Sequence, residues 1–203
     1  MKMLVDVDAK LKVKKLEDLI EEPKIIRVVE FDDEGVAEFE KQIAEAHQTG
    51  QDVIPVVIDS FGGSVYALLA MMAAIDNSTL PVATIVSGKA MSCGAMLFCY
   101  GTEGYRFMDK HAVLMVHEAS SMTCGKVEDI KVDVAHLDQV NRKLYKRVAL
   151  HLGHPENYLL DLLKNRNNTD WFLTARDARK HKMANHLRIP QLKVSVKLLM
   201  EFG

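Results

Sequence analysis

The chain has 203 residues, 48% of them hydrophobic and 27% charged, with a formal net charge of -2. That balance belongs to a folded globular protein and excludes a disordered, collagenous or low-complexity chain. It also leaves no basic excess to neutralise a phosphate backbone, so nucleic-acid binding is not expected.

Residues 1–24 are charged and carry only Leu16, Leu19 and Ile20 at helical spacing. They read as an N-terminal arm with a short helix that stops near Pro23. Residues 25–203 then read as one domain. Residues 25–31 are apolar and β-branched, a strand. Val36, Phe39, Ile43 and Ala46 share one face of a helix over 33–48. Residues 53–58 form a second strand. Pro55 lies inside it and cannot donate to a ladder, so the strand is an edge or starts late. Gly62 and Gly63 mark a tight turn into a helix over 65–75. A third strand covers 82–87, a small-residue buried helix covers 91–100, and short strands cover 105–108 and 113–117. Strands alternating with helices imply an α/β fold with a mostly parallel sheet.

From Val127 through Ile130, Val134, Leu137, Val140, Leu144 and Val148 to Leu152, apolar residues recur every three or four positions. They predict one helix over 126–152, roughly 40 Å long at 1.5 Å per residue. A helix of that length either lies across the sheet or overhangs it, and an overhanging stripe needs a partner such as another subunit. Pro155 opens a short helix to residue 163. Thr174 with Asp177 three positions on forms a capping box for a helix to about residue 184. Residues 168–172 read as a loop running into an apolar turn.

The segment Gly88-Lys89-Ala90-Met91-Ser92-Cys93-Gly94-Ala95 follows a strand and opens a helix. Ser92 there is a candidate nucleophile, because free N–H groups at a helix start can stabilise an oxyanion. It reads equally as a helix cap. Cys93 is the rival nucleophile or an inert buried thiol; Cys99 and Cys124 are expected to pack. The three cysteines lack a CxxC spacing and read as free thiols of a reducing compartment. His117, at a strand end, is either a general base or a structural histidine. His111 is its nearest rival, and His47, His136, His151, His154, His181 and His186 fall on helices or their ends. No HExxH pair suggests zinc, and neither a metal nor a cofactor is expected. Asp170, beside the single tryptophan Trp171, is a candidate acid in a partly desolvated position, or a turn residue. Asp59 and Asp161 are alternatives. The Gly62-Gly63 turn offers either a simple bend or a second oxyanion N–H. No segment reads as an export signal or a membrane span, so a cytoplasmic protein is expected.

Together these motifs resemble the ClpP family of Clp serine peptidases. Ser60-Phe61-Gly62-Gly63-Ser64-Val65 is similar to that family's S-P-G-G-S-V, and the segment around Ser92 to its G-x-A-x-S-x-G-A. Residues 113–117 match the strand that ends in its histidine, 25 positions after the serine. Thr169-Asp170-Trp171-Phe172-Leu173-Thr174-Ala175 is similar to its R-D-x-F-x-S-A. The resemblance covers about residues 25–187. It implies a crotonase-like α/β fold and a catalytic triad of Ser92, His117 and Asp170. Gly63 and Cys93 would give the oxyanion-hole N–H groups, which would make the Cys93 thiol incidental. It further implies that helix 126–152 is a handle through which two heptameric rings stack into a tetradecamer. The substrate would be unfolded protein or peptide pairing with residues 118–122, delivered by an AAA+ unfoldase. Phe61 and Thr169 replace the family's proline and arginine. Residues 120–125 replace its Gly-rich loop, and the N-terminal segment lacks its pore-loop sequence; such divergence suits a phage-type member. Two other classes share parts of the pattern: a crotonase-like enzyme acting on an acyl-CoA, and a catalytically silent ring subunit or assembly protein.

Overall fold

The computed structural model describes residues 22–120 and 124–193. Two sheets carry the site between them. The first is parallel, with strands β1 (Ile26–Val28), β2 (Ile54–Ile58), β3 (Val82–Val86) and β5 (Arg106–Met108) side by side in that order. The second places β6 (Val113–Val116) between β4 (Lys89–Met91), which runs parallel to it, and β7 (Trp171–Thr174), which runs antiparallel. Every residue of β3 is buried, as expected of a parallel strand covered on both faces.

Helices cover these sheets in the expected order. Helix α1 (Asp33–Ala46) starts at Asp32, whose carboxylate accepts from the Gly35 N–H at 2.7 Å, and buries Phe39, Ile43 and Ala46. Helix α2 (Val65–Asp76) is capped by Ser64. Helix α3 (Cys93–Cys99) is buried along its whole length, which its run of small and apolar residues permits. Helix α4 (Val127–His151) matches the long predicted helix within one residue at each end. Its second half buries Leu144, Tyr145, Val148 and Ala149, whereas Val127, Val132 and Val134 of the first half are exposed. The helix overhangs the core; it does not lie across the sheet. Helix α5 (Tyr158–Lys164) packs against it. Helix α6 (Ala175–Lys180) opens with the expected capping box of Thr174 and Asp177, but stops short of residue 184.

Three expectations are corrected here. Strand β2 is no edge: β1 and β3 flank it. Pro55 is tolerated because the Ile54 N–H donates to Pro81 on the β3 side, which turns Pro55 toward β1, where pairing starts only at Ile26 opposite Val56. The strand thus starts late on that side alone. Residues 89–91 form strand β4, so the helix expected from residue 91 starts only at Cys93, and residues 171–174 form strand β7, not an apolar turn. The predicted N-terminal helix lies outside the described residues.

The segment after α6 is held by Arg106, whose side chain is wholly buried. Its guanidinium donates to the carbonyls of Met183, Gly101 and Lys182 at 3.0, 2.9 and 3.1 Å and to the Glu103 carboxylate. Four acceptors around one planar fork satisfy a charge that would otherwise be costly to bury.

Candidate active site

Ser92 joins β4 of the second sheet to α3. Its backbone lies at φ 53° and ψ -119°, a region that side-chain-bearing residues rarely occupy. Both sheets hold this elbow. The Ser92 N–H donates to Met115 of β6 at 2.7 Å, and the neighbouring Met91 N–H donates to Ser60, just after β2, at 3.0 Å. The Ser92 carbonyl accepts from Met96 at 3.1 Å. The side chain takes no part in capping α3. Its Oγ instead lies 2.8 Å from Nε2 of His117.

His117 follows β6, and α4 pins the segment it begins. Tyr145 donates its hydroxyl to the His117 carbonyl at 2.5 Å, and the Ala119 N–H donates to Oδ1 of Asn141 at 3.1 Å. Burial raises the Tyr145 phenol far above its ordinary range, so it remains a protonated donor. Asn141 and Tyr145 were missed by the sequence reading. Their signal is two polar groups at helical spacing beside the apolar stripe, which by itself does not say what they bond.

A cleft of about 250 Å³ opens beside the serine and histidine. Leu68, Met96, Leu137 and Leu144 give it apolar walls, and Gly63 and Cys93 also line it. The diglycine turn fits here because nothing larger would. A Cβ on Gly62, at φ 107°, would sit 2.8 Å from the Ser92 Cβ, and one on Gly63 would sit 2.6 Å from the Phe31 carbonyl oxygen. Cys93 is the first residue of α3, where a backbone N–H has no intrahelical acceptor. Its thiol donates to the Gly63 carbonyl at 3.2 Å, so it is not the idle side chain that the motif implied. Burial raises the Cys93 thiol pKa, which disfavours the nucleophilic thiolate and separates Cys93 from Ser92 as a candidate.

Asp170 immediately precedes β7. The antiparallel register ends with Val116 opposite Trp171, so His117 and Asp170 each lie one residue beyond the paired ladder. The carboxylate is exposed rather than partly desolvated, and among the described residues it makes no hydrogen bond to His117. The structure thus joins Ser92 to His117 directly, while Asp170 makes no such bond among the described residues. Of the alternatives, Asp59 pairs with Lys89 at 2.7 Å and Asp161 is exposed on α5.

The other histidines have separate occupations. His47 accepts from the Thr79 N–H and meets the Ser78 hydroxyl, His136 meets Tyr66, and His151, His154 and His186 meet backbone carbonyls. His181 bonds to the Tyr158 hydroxyl, and His111 is exposed. Cys99 is buried as expected, but Cys124 is exposed rather than packed. Residues 118–120 form no strand; the rest of the predicted substrate-pairing segment, 121–122, lies outside the described residues. Among the described residues, no cluster of three His, Cys, Asp or Glu could hold a metal ion, and no helix is long and apolar enough to cross a membrane.

Comparison with known proteins gives the family. The Clp protease family model matches residues 8–188. The chain belongs to the Clp protease family. Its mixed α/β architecture, with a mostly parallel sheet, covering helices and a long protruding one, is the crotonase-like fold of ClpP. An ATP-dependent Clp protease proteolytic subunit of Bacteroides thetaiotaomicron is 31% identical over 140 residues, covering 69% of this chain and 61% of that protein. Proteolytic subunit 1 of Frankia casuarinae is 30% identical over 130 residues, 64% of this chain and 59% of that one. Proteolytic subunit 2 of Thermobifida fusca is 34% identical over 125 residues, 62% and 60% of the two chains. The chain thus spans about three fifths of the length of these curated relatives. At this identity it is a divergent member of the family.

Proposed function

We propose that the chain is a Clp-type serine endopeptidase. The observation that carries this reading is the 2.8 Å contact between Ser92 Oγ and His117 Nε2, beside an apolar cleft. With its own proton on Nδ1, His117 accepts the Ser92 proton at Nε2 as Oγ attacks a peptide carbonyl. The tetrahedral oxyanion lies against the N–H groups of Gly63 and Cys93. The protonated His117 then gives its proton to the leaving amine, the C–N bond breaks, and an acyl-Ser92 ester remains. Water attacks that ester, His117 again takes the proton, and the acid is released. Asp170, which immediately precedes the strand paired with β6, orients the imidazole and stabilises its charged form. The apolar walls of the cleft suit an apolar substrate side chain.

The assembly follows the same reading. The exposed Val127, Val132 and Val134 on the overhanging half of α4 suit a subunit contact, through which two heptameric rings stack around a chamber. A AAA+ unfoldase delivers unfolded protein, and the compartment is the cytoplasm. A catalytically silent ring subunit is the second reading, favoured by the Asp170 carboxylate, which makes no hydrogen bond to His117 among the described residues.

Fluorophosphonate labelling read by intact mass separates them. One adduct per chain on the wild type and none on Ser92→Ala is expected. A folded, assembled wild type without any adduct selects the silent subunit, and an adduct that survives Ser92→Ala refutes Ser92 as nucleophile.

A further inference from the structure

The Gly63 N–H that the peptidase reading assigns to the oxyanion belongs to a peptide group whose neighbours in the diglycine turn are both held by hydrogen bonds. On one side, the Gly62 N–H donates to Ser60 Oγ at 3.0 Å. On the other, the peptide group joining Gly63 to Ser64 is held at both ends. The Ser64 N–H donates to Phe31 at 2.7 Å, and the Gly63 carbonyl accepts from the Cys93 thiol at 3.2 Å. The peptide group between Gly62 and Gly63 takes part in the parallel bridge of Gly63 with Phe31. Its N–H direction is set by that bridge together with the two groups that flank it. Glycine needs this, because without a Cβ its dihedrals are otherwise free to drift.

We propose that the Cys93 side chain is a positioning residue for the oxyanion site: it clamps the Gly63 carbonyl and so keeps the Gly63 N–H aligned with its own backbone N–H. The proposal rests on the peptidase reading above. One residue thereby contributes twice, once through its backbone and once through its thiol, and the bond spans two elements thirty residues apart. Cys93 is 6% exposed, which holds its sulfur in place beside a carbonyl whose own residue, Gly63, is exposed. The burial that raises its pKa also keeps the sulfur protonated and able to donate.

The test compares three variants on a fluorogenic peptide, each checked for fold by circular dichroism and for native mass. Cys93→Ser keeps a donor, Cys93→Val keeps bulk without a donor, and Cys93→Ala keeps neither. An aligned oxyanion donor acts in the transition state, so the loss should fall on kcat with KM nearly unchanged. A thiol is a weak donor, and the expected fall for Val and Ala is about three- to tenfold. Affinity for a peptide boronate, which places an oxygen where the oxyanion forms, should fall by a similar factor. Cys93→Ser should retain more than half of the wild-type kcat. Wild-type kcat in a folded Val variant, or a Ser variant as slow as Val, overturns the positioning role while leaving the peptidase reading intact. A wild type that neither hydrolyses peptide nor takes a fluorophosphonate adduct overturns both. If Ala and Val fail to fold, the Ser variant decides: its kcat then stands or falls with the donor.

Discussion

Tyr145→Phe removes one oxygen from the base of α4 and nothing else. The lost hydroxyl donates to the His117 carbonyl at 2.5 Å, and Tyr145 is 3% exposed. Water cannot readily take its place, so the variant buries an unpaired acceptor. That costs about 1–3 kcal/mol. For a chain of this size each kcal/mol lowers Tm by roughly 2–4 °C, so a fall of about 4–8 °C is the central expectation. The carbonyl belongs to the histidine itself, so activity should fall too. Its loss should appear in kcat, because His117 moves the proton while the cleft walls bind substrate. Thermal melts at fixed protein concentration and peptide hydrolysis below the melting range give both numbers. Asn141→Ala, which orphans the Ala119 N–H, should couple with it. The double variant should depart from additivity by about 0.5 kcal/mol or more, since both bonds pin one segment. A Tyr145→Phe protein that melts within about 1 °C of wild type and hydrolyses peptide at the wild-type rate would refute the reasoning.

Two further outcomes follow from contacts already described. Gly62→Ala sets a Cβ 2.8 Å from the Ser92 Cβ at a φ of 107°, so strain of roughly 1–3 kcal/mol should appear as a lower Tm together with loss of fluorophosphonate labelling. Wild-type Tm and labelling would contradict that close approach. Maleimide labelling followed by intact mass should modify Cys124 first, because it is exposed. Cys99 should remain unmodified until the protein unfolds: burial pushes its thiol up to about 12, so at neutral pH almost none is thiolate. Modification of Cys99 at the rate of Cys124 in the native protein would show that α3 is not buried as described.

The elements that the sequence made legible are those whose signal is local. Helix α4 announced itself through eight apolar positions, and α6 through a cap and its reciprocal partner. Strands β4 and β7 did not, for a physical reason. Lys89-Ala90-Met91 has too few residues to display a period of two, and it becomes a strand only because β6 lies beside it. Trp171 and Leu173 do alternate with Phe172 and Thr174, buried against exposed, but four residues beside a loop do not fix which state wins. Pro55 misled in a different way. A proline excludes itself only from the side its missing N–H would face, and sequence does not say which neighbour stands there. In the site, Ser92 and His117 were legible as a motif, whereas Tyr145 and Asn141 act across 28 and 22 positions and have no motif of their own.

The strained serine connects these points. Backbone at φ 53° costs of order 1–3 kcal/mol and persists only where the surroundings over-determine it. Three backbone hydrogen bonds do so here, at Ser92 N, Ser92 O and Met91 N, and their acceptors and donors come from β6, α3 and the second residue after β2. The first sheet therefore contributes through Ser60 and the second through Met115. Ser60 also pairs with Ala90 in the short bridge where the sheets meet, and its hydroxyl accepts from Gly62. One buried serine thus ties the nucleophile's elbow to the diglycine turn opposite. The strained Ser92 lies where both sheets can hold it, and the 2.8 Å reach to His117 follows from anchoring the serine and the β6 strand through the same Ser92–Met115 hydrogen bond.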